Sequence, residues 1–395
     1  MIDVILKKGK EKAVLHHHPW VFSGAVERVN GKPENGDIVR LLNAKGDFMA
    51  YGFYNGQSRV ALRLLEWDEH VEVNEHWFRE KVAAAVAGRS NLLVDGVTNT
   101  CRLIFSESDY LPGLIVDKYA NHLAVQVLTS GMEKIMPVII DELQRLLNPE
   151  SIFDKSDASS RSHEGLETQN ILLAGNHPPE RVEVIENGII YNINIAEGQK
   201  SGFYCDQRDN REIVASYAKG KNVLDCFCYT GGFTLNSLQN GAKCVTAVDS
   251  SVPAIDTLKE NIALNNFDAS KVTAIASEVN KQLRKFRDEG ELFDIVVLDP
   301  PKFAPSRSAL DKASRAYKDL NRLGMLLLNK GGLLATFSCS GAMNMETFKQ
   351  VLAWAALDAG KQVQFIHQFC QPADHPVRAS FPEGEYLKGL LCRVV

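Results

Sequence analysis

The spacing of apolar residues divides the chain into three stretches. Up to about residue 75, short apolar–polar alternations are broken by turn signals: Asn30-Gly31-Lys32-Pro33, Glu34-Asn35-Gly36-Asp37, Lys45-Gly46-Asp47 and Tyr54-Asn55-Gly56. This predicts a small all-β barrel or sandwich over 1–75. From Trp77 to about Asn91 the spacing turns helical. Between 101 and 195 it mixes strands (114–116 and 122–128) with a helix near 132–147. A middle α+β domain over 76–195 follows. Residues 154–169, rich in Ser, Asp and Glu, carry no apolar period and read as a loop.

From residue 222 the pattern alternates strand and helix. Apolar runs at 223–226, 244–248, 272–275, 295–298 and 333–337 read as strands, and 233–239, 253–265, 280–289, 309–329 and 345–359 as helices. Regular alternation of this kind predicts a doubly wound α/β sheet over the last domain, 196–395. Ligands of such sheets bind beyond the carboxyl ends of the strands, so the residues that end each strand are where chemistry is sought.

Composition narrows the class. A chain of 395 residues with 45% apolar and 24% charged residues is ordinary globular usage. No run of 18 apolar residues occurs, and the N-terminus lacks the apolar core of a secretory signal, so no membrane partner and a cytoplasmic location are expected. Eight cysteines without a C-x-x-C pair indicate neither zinc nor a disulfide framework. His16-His17-His18 lacks spaced acidic or cysteine partners, and no metal is expected. Net charge is −5, yet residues 1–63 hold ten Lys/Arg against six Asp/Glu. Any polyanion-binding face therefore concentrates at the N-terminal end.

The first strand runs into Asp225-Cys226-Phe227-Cys228-Tyr229-Thr230-Gly231-Gly232, where a glycine pair lets a cofactor approach the backbone. A tight strand-to-helix turn explains it equally. The G-x-G-x-x-G spacing of nicotinamide enzymes is missing. Asp249 ends the second strand where a carboxylate accepts from both ribose hydroxyls, although Asp249 could instead cap a helix, as Ser250 and Ser251 could equally well. Ser277-Glu278 follow the third strand, where their side chains could reach an adenine ring, and a solvated loop acid explains Glu278 nearly as well. The fourth strand ends in Asp299-Pro300-Pro301-Lys302-Phe303, whose prolines fix the path out of the sheet. Asp at 299 disfavours exocyclic-amine methyltransferases, which carry N-P-P-Y. The fifth strand ends in Ser338-Cys339-Ser340, next to Asp299. A thiolate that adds to carbon 6 of a pyrimidine makes carbon 5 nucleophilic, so Cys339 is the candidate nucleophile and Asp299 the group that binds the N3/N4 edge of cytosine. The base that removes the carbon 5 proton is not identified from the residues.

With these residues in hand, the chain resembles the bacterial large-subunit ribosomal RNA cytosine-5 methyltransferases of the RlmI type along nearly its whole length. The resemblance rests on His18-Pro19-Trp20-Val21-Phe22-Ser23-Gly24-Ala25, Lys200-Ser201-Gly202-Phe203-Tyr204-Cys205-Asp206-Gln207-Arg208, Asp225, Asp299-Pro300-Pro301-Lys302-Phe303 and Ser338-Cys339-Ser340. It implies an RNA-binding PUA domain over 1–75, a Rossmann-like class I methyltransferase domain with a seven-stranded sheet, and S-adenosylmethionine as donor. Phe203 and Arg208 are carried over as donor contacts, beside Asp225, Tyr229, Gly231, Asp249, Ser250 and Glu278. His16 and His17 stand where relatives commonly have arginines. The implied partner is ribosomal RNA of the large subunit, naked or in an assembly intermediate, with a homodimer possible. Two other readings stay open: methylation of an RNA guanine without a covalent adduct, and an RNA-binding assembly factor with an inert methyltransferase domain.

Overall fold

The computed structural model describes residues 1–156, 161–198, 202–304 and 307–395, apart from the Arg307 side chain. Two compact units result: the first holds Met1–Gly188, Ile193–Cys205 and Ala373–Gly384, the second Ile189–Asn192, Asp206–Pro372 and Glu385–Val395.

In the first unit, the turn-rich start of the chain forms a six-stranded sheet from Asp3–Leu6, Trp20–Phe22, Val26–Asn30, Ile38–Leu42, Phe48–Tyr54 and Val60–Glu66. Alternate residues of these strands, among them Val4, Leu6, Leu41, Leu62 and Leu64, share one buried cluster, as a sheet wet on one face requires. A five-stranded sheet follows, made of Thr100–Phe105, Leu114–Tyr119, His122–Val127, Ser151–Asp154 and Ile171–Gly175. Two helices pack on it. Glu75–Ala87 is capped by Asn74, whose side chain accepts from the Trp77 N–H, and Ser130–Leu147 is capped by Thr129.

The polar stretch read as a loop is more ordered than its composition suggests. Residues 157–160 lie outside the described residues, but Arg161 is 1% exposed and donates to the Val127 carbonyl and to Glu133 at 2.8 Å. A polar composition hid a buried arginine, because burial with full pairing leaves no apolar period.

The second unit is built on a seven-stranded sheet. Its strands in chain order are Asn222–Cys226, Cys244–Asp249, Val272–Ala276, Phe293–Leu298, Leu328–Ser338, Val363–Phe369 and Lys388–Val394. Across the sheet they run third, second, first, fourth, fifth, seventh, sixth. The first five pair in parallel, and the seventh lies antiparallel between the fifth and sixth. Successive residues enter opposite cores. Leu224, Val296, Leu298 and Leu334 pack with the helices Val279–Glu289, Leu310–Leu326 and Met345–Ala359, whereas Val223, Ile295, Val297 and Ala335 pack with Phe233 and Val214. Burial on both faces is why these strands read as continuous apolar runs.

The edge strand escapes the apolar pattern. In Val363–Phe369 polar residues interleave with apolar ones, and much of this edge strand faces solvent. The fifth strand also starts earlier than expected, at Leu328, through Lys330-Gly331-Gly332 and a register shift against the fourth.

Gly389 on the seventh strand pairs with Phe337 on the fifth. A Cβ there would stand 2.4 Å from the Phe337 ring, which is fully buried. Gly389→Ala is therefore expected to lower the midpoint of thermal unfolding, at a cost of about 1–3 kcal/mol from overpacking, while an alanine at Gly24, whose Cβ would meet nothing within 4 Å and whose φ is not positive, serves as the control for glycine loss alone.

Candidate active site

Parallel pairing aligns the strand ends. Cys226 pairs with both Val248 and Leu298, and Leu298 with Thr336. Asp225, Asp249, Asp299 and Cys339 are therefore each within a few residues of one sheet edge, and the Asp299 N–H reaches the Cys226 carbonyl at 3.5 Å.

Asp225 is 1% exposed; its Oδ2 accepts from the Thr234 hydroxyl at 2.7 Å, while Oδ1 is buried without a partner. Burial, with smaller contributions from Asp299 and Asp249, pushes its pKa up to about 7. An acid in this condition asks for a cation or a strong donor at Oδ1. The loop that follows is bent hard: Phe227, Tyr229 and Gly231 all adopt positive φ, at 61°, 49° and 94°. Holding two non-glycine residues there stores strain of the kind found at ligand sites. Gly231 has no alternative, since a Cβ would stand 2.2 Å from Leu258 and would require the same left-handed φ. At Gly232 a Cβ would meet the Arg211 guanidinium at 2.5 Å.

Asp249 is oriented by backbone. Its Oδ2 accepts from the Tyr229 N–H at 3.0 Å and its Oδ1 from the Ser251 N–H at 2.8 Å. Ser251, not Asp249 or Ser250, caps the next helix by accepting from the Ala254 N–H. The capping reading of Asp249 and Ser250 thus falls away, and the carboxylate retains lone pairs for a diol. Ser250 and Glu278 are exposed, Glu278 at the start of Val279–Glu289 without a side-chain cap bond.

Arg208 opens the helix Arg208–Ala215 and is 4% exposed, in a run with Asp206, Gln207, Asn210 and Arg211 that is equally buried. Tyr386 donates to Asp206 at 2.5 Å and Asn210 to the Cys370 carbonyl at 3.0 Å. Phe203 falls in the first unit, where its N–H donates to the Tyr119 hydroxyl at 3.2 Å.

A hydroxyl network joins the other two strand ends. Ser338 donates to the Tyr317 hydroxyl at 2.9 Å, Tyr317 meets the Ser340 hydroxyl at 3.2 Å, and Ser340 Oγ accepts the Ala304 N–H at 3.1 Å. Tyr317 also packs on Phe303, ring centroids 4.8 Å apart. The Asp299–Ala304 loop and the Cys339 loop are thereby sewn to one buried tyrosine, whose pKa burial raises. Tyr317 was missed because it sits mid-helix, where an aromatic reads as core.

Lys388 was missed too. It pairs with Ser338 across the antiparallel strands, is 5% exposed and donates to the Tyr386 carbonyl at 2.6 Å. Burial lowers its pKa, and the electrostatic pull of Cys339 opposes that shift. Among the cysteines, burial pushes the Cys226 and Cys228 thiols well up and that of Cys392 to about 12. Cys339 is partly exposed beside an ammonium, the environment of a reactive thiol. Among the described residues no cluster of His, Cys, Asp or Glu is placed to hold a metal, and no helix is long and apolar enough to cross a membrane.

The strand order, the glycine-bearing loop, the orphaned acid and the backbone-oriented Asp249 fit an adenosine-containing methyl donor, and residues 165–390 match the model of S-adenosylmethionine-dependent methyltransferases. The donor is S-adenosylmethionine. Residues 4–67 match the PUA-like domain. Proteins named ribosomal RNA large subunit methyltransferase I are similar from end to end: one from Erwinia tasmaniensis is 43% identical with all of both chains covered, and one from Photobacterium profundum is 44% identical with 99% of each covered. The chain belongs to their family. Among solved structures, SMU.776 in complex with SAH superposes with a TM-score of 0.87 at 21% identity, and a chain from Streptococcus mutans classed as a SAM-dependent methyltransferase with 0.85 at 21% identity, each covering all of both chains.

Were Asp225 Oδ1 to hold a cationic group of the donor, that cation would favour the ionised acid. Donor binding should therefore release a proton near neutral pH. The affinity for SAH is expected to be full above about pH 7 and to weaken as pH falls below it, because protonation of Asp225 then competes. Asp225→Asn should weaken SAH by about ten-fold or more and flatten this dependence. Calorimetry in buffers of differing ionisation enthalpy reads both.

Proposed function

We propose that the chain methylates carbon 5 of a cytosine in large-subunit ribosomal RNA, with Cys339 as covalent nucleophile. The observation that carries this reading is the partly exposed Cys339 thiol in a loop bonded, through Ser340 and Tyr317, to the Asp299-Pro300-Pro301 loop. The PUA-like region and the name of the relatives support RNA of the large subunit as substrate.

S-adenosylmethionine, when bound, supplies an electrophilic methyl group. The chain's own residues do the rest. The Cys339 thiolate adds to carbon 6 of the cytosine, and electron density moves onto carbon 5. Asp299 accepts from the exocyclic amine and supports a proton on N3, which stabilises the adduct. Carbon 5 then takes the methyl group, a base removes the carbon 5 proton, the carbon–sulfur bond breaks, and aromaticity and the thiolate are both restored. The Lys388 ammonium favours the thiolate form of Cys339 over the thiol. The buried Tyr317 holds the two loops at one separation.

Cys339→Ala is expected to abolish transfer of a tritiated methyl group to ribosomal RNA from cells that lack the protein, with SAH affinity unchanged. Nucleoside mass analysis should report 5-methylcytidine; methylguanosine in its place, or full turnover by the variant, refutes the reading. Lys388→Met should lower the rate at neutral pH and recover part of it as pH rises toward the thiol's own range. A lysine with only a packing role would give a loss independent of pH.

A further inference from the structure

The His18-Pro19-Trp20-Val21-Phe22 segment plays no part in methyl transfer as derived above. In the first unit its Trp20 lines a cavity of about 740 Å³, within the range of about 300–1,000 Å³ usual for small-ligand sites. The Trp20 indole N–H donates to Glu107 Oε1 at 2.7 Å. The Arg63 guanidinium, 5.7 Å from the Trp20 ring centre, donates to Glu107 Oε1 at 2.8 Å and to Glu164 Oε1 at 3.1 Å. Two carboxylates thus share one guanidinium on the cavity wall, with side chains 16% (Arg63), 7% (Glu107) and 3% (Glu164) exposed.

Counting donors separates the two acids. Glu107 also accepts from the Ser106 hydroxyl at 2.5 Å, so three side-chain donors occupy it. Burial alone would raise its pKa, but Arg63, Ser106 and Trp20 outweigh burial and hold it below the ordinary value. Glu164 takes Arg63 on one oxygen and Asn55, at 2.9 Å, on the other. A carboxylate offers about four lone-pair positions, so each Glu164 oxygen keeps one.

Two adjacent acceptors in a plane call for two adjacent N–H donors. Among neutral RNA bases only guanine presents that pair, at N1 and N2. Adenine and cytosine set a ring acceptor beside the amine, and the uracil imide lies between carbonyls that a carboxylate repels. The mouth suits a nucleotide as well. Phe22, 53% exposed, stands edge-on to Trp20 at 6.3 Å, and exposed Arg59 and His163 line the cavity.

We propose that this cavity holds a guanine base of single-stranded RNA, its Watson–Crick edge donating to Glu164, in addition to the cytosine presented for methylation. The inference rests on the RNA substrate proposed above.

The test titrates the pentanucleotides UUGUU and UUAUU, and free GTP, into the full-length chain by calorimetry. UUGUU should bind about ten-fold tighter than UUAUU, as a bidentate contact to one base supports. His163→Trp, which places a bulky ring at an exposed position of the lining, should erase that preference while SAH affinity stays unchanged. Glu164→Gln, which replaces one acceptor by a donor, should also lose it; because that change strips Arg63 of a partner and could unfold the chain, His163→Trp carries the decision. Equal binding of the two pentanucleotides, or a preference that survives His163→Trp, overturns the proposal. GTP binding tighter than UUGUU overturns RNA as the source of the base. No methyl transfer enters these readouts, so loss of the guanine preference leaves the methylation reading intact, and an inactive chain can still show the preference.

Discussion

In-register parallel pairing is the constraint on which the second unit depends. Because Cys226, Val248 and Leu298 lie opposite one another, the loops that leave their strands start at one edge and must share its space. The side-chain period of a strand is two, so a slip of one residue would exchange the two buried faces. Leu224 and Leu298 would then leave one core as Val223 and Val297 entered it. Two full cores thus hold the register, and the register holds the site. The chemistry at the strand ends is positioned by apolar residues that take no part in it.

The same edge carries an electrostatic cost. Asp225, Asp249 and Asp299 are close enough for the latter two to raise the pKa of the first, and Asp225 is almost wholly buried. Such an arrangement destabilises the chain by itself, because burying an acid with one oxygen unpaired disfavours its ionised form. It favours a cation. A positively charged group at the unpaired oxygen would relieve that cost, and the two left-handed residues Phe227 and Tyr229 add strain in the same loop. Stability yields to binding where the ligand sits.

Much of this was legible in the sequence for one reason: parallel strands buried on both faces announce themselves as apolar runs, and each run ends where chemistry begins. Asp225, Asp249, Asp299 and Cys339 were singled out that way. The edge strand Val363–Phe369 was not read, because it is half-wet and interleaves polar residues, and the buried seventh strand that follows it went unread as well. Lys388, the first residue of that seventh strand, was lost with it. Tyr317 was invisible for a different reason: on a helix, an aromatic at core spacing carries no sign that its hydroxyl bonds two serines from a distant strand end. Arg161 and Glu164 lay in a polar run that composition alone assigns to solvent, though 1% and 3% exposed.

Most buried charges of the first unit are paired, although Arg63 Nε has no partner. Arg63 is matched with Glu107 and Glu164, Arg161 with Glu133, and Arg102 with Asp117 at 2.8 Å. Charges cancel where they are buried, so each pair is held by the cost of leaving its partner alone. In the second, Asp225 keeps one oxygen without a partner beside a bent glycine loop. We propose that this open position takes a cation or a strong hydrogen-bond donor of the methyl donor, because an acid buried with one oxygen unpaired gains most from such a group.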